Sequence, residues 1–277
     1  MITLALSHVI TLLITGVIVG FASGLLGIGG AFIMTPVQYW VYTNMGLPTD
    51  MAIKLAFGTN LLAVLTTVIS GVWQHHRRGA VWWRAAIIMG CCSLASALGG
   101  ATIAVHLPGA ALKMGFGALV LAGAIRMVTA QLPKIEEIPR SNPWLWAGVA
   151  LPIGLVTGLV GIGGGIIVIP VMTLFLRFQM HRAVATSLAM MLFTGTGGVI
   201  GYIVNGLGVD GLPAYSIGYV NLQSWFFLSI TSIGLAQVGA MTAHRLPAKQ
   251  LRYIFIVLMF YIGLKMLGLF DWLGWPI

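Results

Sequence analysis

GLVTGLVGIGGGIIVIP, residues 154–170, decides how the rest of the chain is read, because residues 20–36 copy it as GFASGLLGIGGAFIMTP. The positional offset is a constant 134: Gly24 and Gly158, Gly27 and Gly161, Gly29 and Gly163, Gly30 and Gly164, Pro36 and Pro170. Each copy is an apolar helical pattern, a run of glycines, more apolar residues and a proline. Glycine lets the backbone turn or approach another group closely. A helix broken inside a bilayer must satisfy its freed N–H and C=O groups elsewhere. The chain therefore builds an interruption at membrane depth twice. The fourfold spacing of Gly16, Gly20 and Gly24 also fits a close-packing helix face, but packing alone does not account for the consecutive glycines or the proline.

The surroundings are those of a membrane protein. The 277 residues are 59% hydrophobic and 7% charged, with fourteen Lys and Arg against five Asp and Glu. A soluble domain is excluded by that composition. The formal charge of +9 sits mostly between apolar segments, so it reads as a topology signal and not as a nucleic-acid surface. Cys91 and Cys92 are adjacent within an apolar segment and read as packing residues. The stretch from residue 1 to Lys54, the first basic residue, has no basic start of a signal peptide, and the first segment is expected to remain in the mature protein.

Residues 2–42 are too long for one span of roughly 20 residues. They read as two helical arms joined at Gly27–Gly30, a hairpin or re-entrant pair. Spans follow at about 51–73, 83–105 and 107–130. The hydrophilic stretch QLPKIEEIPRSNP, residues 131–143, divides the chain into a first repeat, 1–130, and a second, 144–277. The second opens with another over-long stretch to about residue 178, then spans at about 182–204, 222–244 and 248–270. Residues 205–221, between two of these, carry no Lys or Arg. The halves match further: Thr59-Asn60-Leu61 meets Thr186-Ser187-Leu188 at an offset of 127, and Leu107-Pro108 meets Leu246-Pro247 at 139. At 139, Lys113 also meets Arg252 and Arg126 meets Lys265. Such a duplication is characteristic of secondary transporters.

Charge decides its sense. If each glycine stretch returns to the side it came from, eleven basic residues fall on one face and three (Lys54, Lys113, Lys265) on the other. If each is one crossing, the split is seven to seven. The positive-inside rule favours the first. The expected fold is an all-α polytopic membrane protein of two inverted repeats, each a glycine-broken helical hairpin plus three transmembrane helices. Its linker, 131–143, is cytoplasmic and both termini are outside.

The paired glycine–proline stretches, Thr-Ser-Leu after the second, the arginine- and glycine-bearing turn after the following span and Leu-Pro before each half's last helix resemble the TauE/SafE family of sulfite exporters. The resemblance covers nearly the whole chain. It implies a multi-pass plasma-membrane transporter of sulfite, an organosulfonate or a related oxyanion. Asn60 stands where the second half has Ser187, a departure that bears on the identity of the substrate.

The residues themselves point to an anion. A helix beginning after a glycine turn aims free N–H groups and a positive dipole end at the turn. Gly29, Gly30, Gly163, Gly164 and Gly165 are the candidate backbone donors; Thr59, Asn60, Thr186 and Ser187 are the candidate side chains. Hydroxyls of this kind also serve as bonds within or between helices. Pro36 and Pro170 can free a carbonyl or simply kink a helix. His75 and His76, beside Arg77 and Arg78, read as an interfacial pair, with proton coupling the other reading. No carboxylate falls within a span, and no HExxH or CxxC occurs. A metal site, a cofactor and an enzymatic nucleophile are therefore not expected. A transporter is the leading reading, with an anion channel or, less favoured, a membrane-embedded enzyme as alternatives. The expected partners are a small anion and the lipid bilayer; self-association is left open.

Overall fold

A computed structural model describes residues 4–26, 30–129, 141–242 and 248–269. The predicted linker lies mostly outside these residues, as do Gly27–Gly29 and the chain's last residues. What is described is almost wholly helical. Helix α1 (Leu6–Leu26) leads to α2 (Ala31–Asn44), then α3 (Thr49–Arg77), α4 (Trp83–His106) and α5 (Gly109–Thr129). The second half repeats the series with α6 (Pro143–Val160), α7 (Gly165–Pro170), α8 (Met180–Val204), α9 (Leu222–Thr242) and α10 (Ala248–Met266). Helix α7 continues as a π-helical turn, Val171–Phe175. The loop after α8 holds a two-stranded hairpin, β1 (Ser216–Ile217) and β2 (Val220–Asn221), which the sequence reading left as plain loop.

Among the described residues, six helices are long and apolar enough to cross a bilayer. The chain is thus an all-α polytopic membrane protein. The short arms differ: α2 has 14 residues and the stretch Gly165–Phe175 has 11. At about 1.5 Å per residue these reach roughly 21 and 17 Å, well short of a hydrocarbon core of about 30 Å. Each glycine stretch therefore closes a full-length arm and opens a partial one. Exposed Ile14, Ile18, Ile69, Ile87, Ile103, Ile125 and Val257 suit the lipid-facing surface of such a bundle.

Helices that correspond by sequence offset pack in corresponding ways. Helix α4 lies against α6 and α8, and α9 lies against α1 and α3, so each half's fourth helix packs on the other half. Gly154 and Gly158 of α6 abut the backbone at Ser93 and Ala97 of α4, and Gly20 of α1 abuts the backbone at Ser232 of α9. Gly20 and Gly154 differ by 134, Ser93 and Ser232 by 139. The Ser93 hydroxyl is 2.6 Å from that of Thr194, and Ser232 is 3.4 Å from Thr67, a third matched pair at offset 127. The upstream glycines are thus packing glycines, as their fourfold spacing allowed, where a side chain would push two backbones apart.

The direction of the central pair follows from its register. Gly58 of α3 faces Tyr202 of α8, Leu61 faces Gly198, Leu65 faces Gly195, and Gly71 faces Leu188. One number falls as the other rises, so α3 and α8 run antiparallel. Helices α5 and α10 do the same, with Gly117 against Leu267 and Gly123 against Met259.

Candidate functional site

The second glycine turn is built from backbone that other residues adopt only under strain. Gly161 closes α6 at φ 65°, its N–H donating to the Thr157 carbonyl at 2.9 Å. Gly163 follows at φ 71° and Gly164 at φ 87°, the latter as the N-cap of α7. At the first position of α7, Gly165 is buried. The N–H groups of Gly164, Gly165 and Ile166 head this helix without an intrahelical acceptor. The first half repeats the cap: Gly30, at φ 62°, is the N-cap of α2. Gly29 lies outside the described residues.

Two helices hold the second turn. Asn60 of α3 is fully buried, and its Nδ2 donates to the Gly161 carbonyl at 2.5 Å. A Cβ on Gly163 would come within 2.9 Å of Val64, one turn along α3, and 3.4 Å of the Met191 methyl on α8. Phe57 packs against Gly161. Two buried side-chain oxygens border this turn without a hydrogen-bond partner: Asn60 Oδ1 and Thr157 Oγ1. Thr157 lies beside Gly164, where an added Cβ would sit 3.0 Å from its hydroxyl. The sequence reading did not single out Thr157. The signal was present, since Ser23 occupies the matching position at offset 134.

The other predicted side chains are placed as follows. Thr59 Oγ1 accepts from the Asn221 N–H at 2.9 Å, with the Tyr42 hydroxyl 3.4 Å away. Thr186 Oγ1 accepts from the Trp82 N–H at 3.1 Å. These two bonds correspond, because Thr59 and Thr186 differ by 127 and Trp82 and Asn221 by 139. Each ties the start of one half's fourth helix to the other half's third helix. Ser187 donates to the carbonyl of Val184 at 2.8 Å, within its own helix. All four predicted side chains are fully buried.

The pairs do not meet at one point. Asn60 adjoins Leu61, which faces Gly198, whereas Ser187 adjoins Leu188, which faces Gly71. Asn60 and Gly71 are eleven residues apart on α3, so about 16 Å of helix rise separates the two levels. Asn60 belongs to the second-half turn, and Ser187 sits toward the other end of the antiparallel pair.

Two clusters of charged and aromatic groups mark the two ends of α3. Asp50, at the head of α3, pairs with Lys54 at 2.6 Å and accepts from the Gly109 N–H that opens α5. At the far end of α3, the Trp83 indole donates to His76 Nδ1 at 3.0 Å and Arg77 lies over the Trp73 ring at 4.9 Å, an arrangement that suits an interfacial belt. Among the described residues, no group of three or more His, Cys, Asp or Glu could hold a metal ion.

The family model described as sulfite exporter TauE/SafE matches residues 12–266. A probable membrane transporter protein of Methanocaldococcus jannaschii is 32% identical over 259 residues, covering 92% of this chain and 94% of that protein. A probable membrane transporter protein of Haemophilus influenzae is 26% identical, over 94% of this chain and 98% of its own. No solved structure matches the chain.

Proposed function

The chain belongs to the sulfite exporter TauE/SafE family of membrane transporters, and on that premise we propose that it is a secondary transporter of a small anion in the plasma membrane, exporting sulfite, an organosulfonate or a related oxyanion. The observation that carries the reading is the second glycine turn. It brings the N–H groups of Gly164, Gly165 and Ile166 and the unpartnered Thr157 hydroxyl to one buried place. Such a helix head favours negative charge. Asn60 holds the turn through the Gly161 carbonyl and offers Oδ1 to a ligand or water that brings a hydrogen. Gly163 keeps the turn against α3 and α8. By sequence offset, Gly29, Gly30 and Ser187 are the counterparts of Gly163, Gly164 and Asn60.

Uptake into proteoliposomes tests this reading. With the membrane potential clamped at zero and a coupling-ion gradient imposed, labelled methanesulfonate is expected to accumulate above its external concentration. Flux that only equilibrates would make the protein a channel, and the absence of any anion flux would remove the reading.

The antiparallel register of the matched helices supports inverted repeats, because a two-fold axis lying in the membrane plane reverses one copy against the other. Both termini are then outside and the linker is inside. In a cysteine-free background, Ser141→Cys is expected to resist an impermeant thiol reagent in intact cells and to react after permeabilisation. Reaction in intact cells would contradict the inverted arrangement.

In that arrangement the Thr59–Asn221 and Thr186–Trp82 bonds lie toward opposite membrane faces, where they would latch the two ends of the α3–α8 pair. One neutral hydrogen bond contributes about 1 kcal/mol, roughly fivefold in an equilibrium. Thr59→Val and Thr186→Val are each expected to slow uptake about fivefold and to shift cysteine accessibility toward opposite faces. Shifts toward the same face would sink the latch model.

A further inference from the structure

Lys54, Lys113 and Lys265 share one end of the bundle. Asp50 at the head of α3 pairs with Lys54 and accepts from the Gly109 N–H, so the heads of α3 and α5 lie together. Gly117 of α5 abuts Gly263 and Leu267 of α10, which brings Lys265 to the same end as Lys113. Lys54 is buried and taken up by Asp50. The other two lysines line a single cleft of about 490 Å³ between α2 and α10.

The cleft is graded along its length. Its α2 wall runs from Ile33 to Thr43, ten residues, or about 15 Å of rise. That is roughly half of a hydrocarbon core of about 30 Å, the depth of one leaflet. The deep part is apolar, walled by Ile33, Val37, Leu258 and Ile262. Thr11 beside them spends its hydroxyl on the Ser7 carbonyl at 2.9 Å, within α1. The outer part is cationic and aromatic. Lys113 Nζ lies 5.5 Å from the centroid of the Tyr39 ring, and Lys265 Nζ lies 5.7 Å from that of Tyr261 and 3.5 Å from its hydroxyl. No Asp or Glu is among the lining residues. Trp40 and Tyr261 on the rim are 49% and 38% exposed, so the cleft opens sideways onto the surface that faces lipid.

A route for a small anion would need polar groups along its whole depth, and this cleft has them only at its outer end. An amphiphile with an anionic head matches both parts. Lysine ammonium groups are point charges that suit phosphate, and tyrosine and tryptophan favour the headgroup level. The half-length of α2 explains the groove's depth, because that helix starts at Gly30 and rises only to one membrane face.

We propose that this cleft binds an anionic phospholipid of the leaflet at that end, the outer one in the inverted arrangement. The phosphate sits at Lys113 and Lys265, the glycerol beside Tyr39 and Tyr261, and an acyl chain along Ile33, Val37, Leu258 and Ile262. The lipid bridges α2 to α10 and so braces the half-helix that the first glycine turn begins.

Native mass spectrometry of the full-length protein in detergent tests the site, with phosphatidylglycerol and phosphatidylcholine of identical chains as the probes. Phosphatidylglycerol is expected to bind about fivefold more tightly or better. Lys113→Gln/Lys265→Gln should bring the two lipids within about twofold of each other. Arg78→Gln/Arg84→Gln, which removes two exposed charges from the opposite end, should leave the preference intact. Leu258→Trp, which fills the apolar depth, should weaken the binding of both lipids. An excess of glycerol 3-phosphate should displace neither. Equal affinity of the wild type for the two lipids, or equal loss of preference in both double variants, would overturn the proposal. Displacement by glycerol 3-phosphate would also overturn it, making the cleft a small-anion site. Should the lysine double variant fail to stay monodisperse, Leu258→Trp decides, and unchanged phosphatidylglycerol affinity there would remove the cleft as the site.

Discussion

Gly164→Val is expected to lower anion uptake at least about a hundredfold while the protein still inserts and remains monodisperse. Gly164 holds φ 87° at the head of α7. An L-residue in left-handed backbone costs roughly 1–2 kcal/mol, and a β-branched side chain is the least suited to it. Space is short as well, since the added Cβ would sit 3.0 Å from the Thr157 hydroxyl. The chain can relieve this only by moving the turn away from α3 and α8, and the N–H groups at the helix head move with it. Gly99→Ala is the matched control: it is mid-helix on α4 with nothing within 4 Å of the new Cβ, so uptake should stay within about twofold of wild type. Initial uptake rates, normalised to protein recovered after size exclusion, decide the matter. Wild-type uptake by Gly164→Val would reduce the turn to a packing feature.

Asn60→Leu is expected to weaken anion binding by about tenfold or more. The substitution keeps approximate volume but strips the Gly161 carbonyl of its donor inside the protein. An orphaned buried carbonyl costs about 1–3 kcal/mol, and the turn can escape that cost by loosening. Asn60→Ser, which installs the residue found at the matching position of the second half, is expected to fall between leucine and wild type because its shorter side chain reaches less far. Dissociation constants from calorimetry on folded variants give the comparison. Unchanged affinity in Asn60→Leu would detach Asn60 from the site.

The helical architecture was legible because duplication and hydropathy are written in the chain. The offset of 134 marked both turns, the over-long apolar stretches marked both hairpins, and the packing of Gly20 on Ser232 and Gly154 on Ser93 follows the same offsets. Side-chain roles were less legible. Thr59 and Asn60 are neighbours in sequence, yet a helix turns about 100° per residue. One therefore accepts from Asn221 while the other reaches Gly161. Matched positions on antiparallel helices come together only near the crossing point, and Asn60 and Ser187 lie on either side of it. Thr157 was hidden because a hydroxyl one turn before a helix end ordinarily bonds to its own backbone; its lack of a partner is visible only in three dimensions.

Calorimetric titration of the purified wild-type protein with sulfite, sulfate and methanesulfonate, beside magnesium and calcium chlorides, tests the central claim most directly. The account predicts saturable binding of at least one of these anions, lost in Gly164→Val, and no heat specific to the divalent cations. Saturable binding of a divalent cation with none of the anions bound would contradict it.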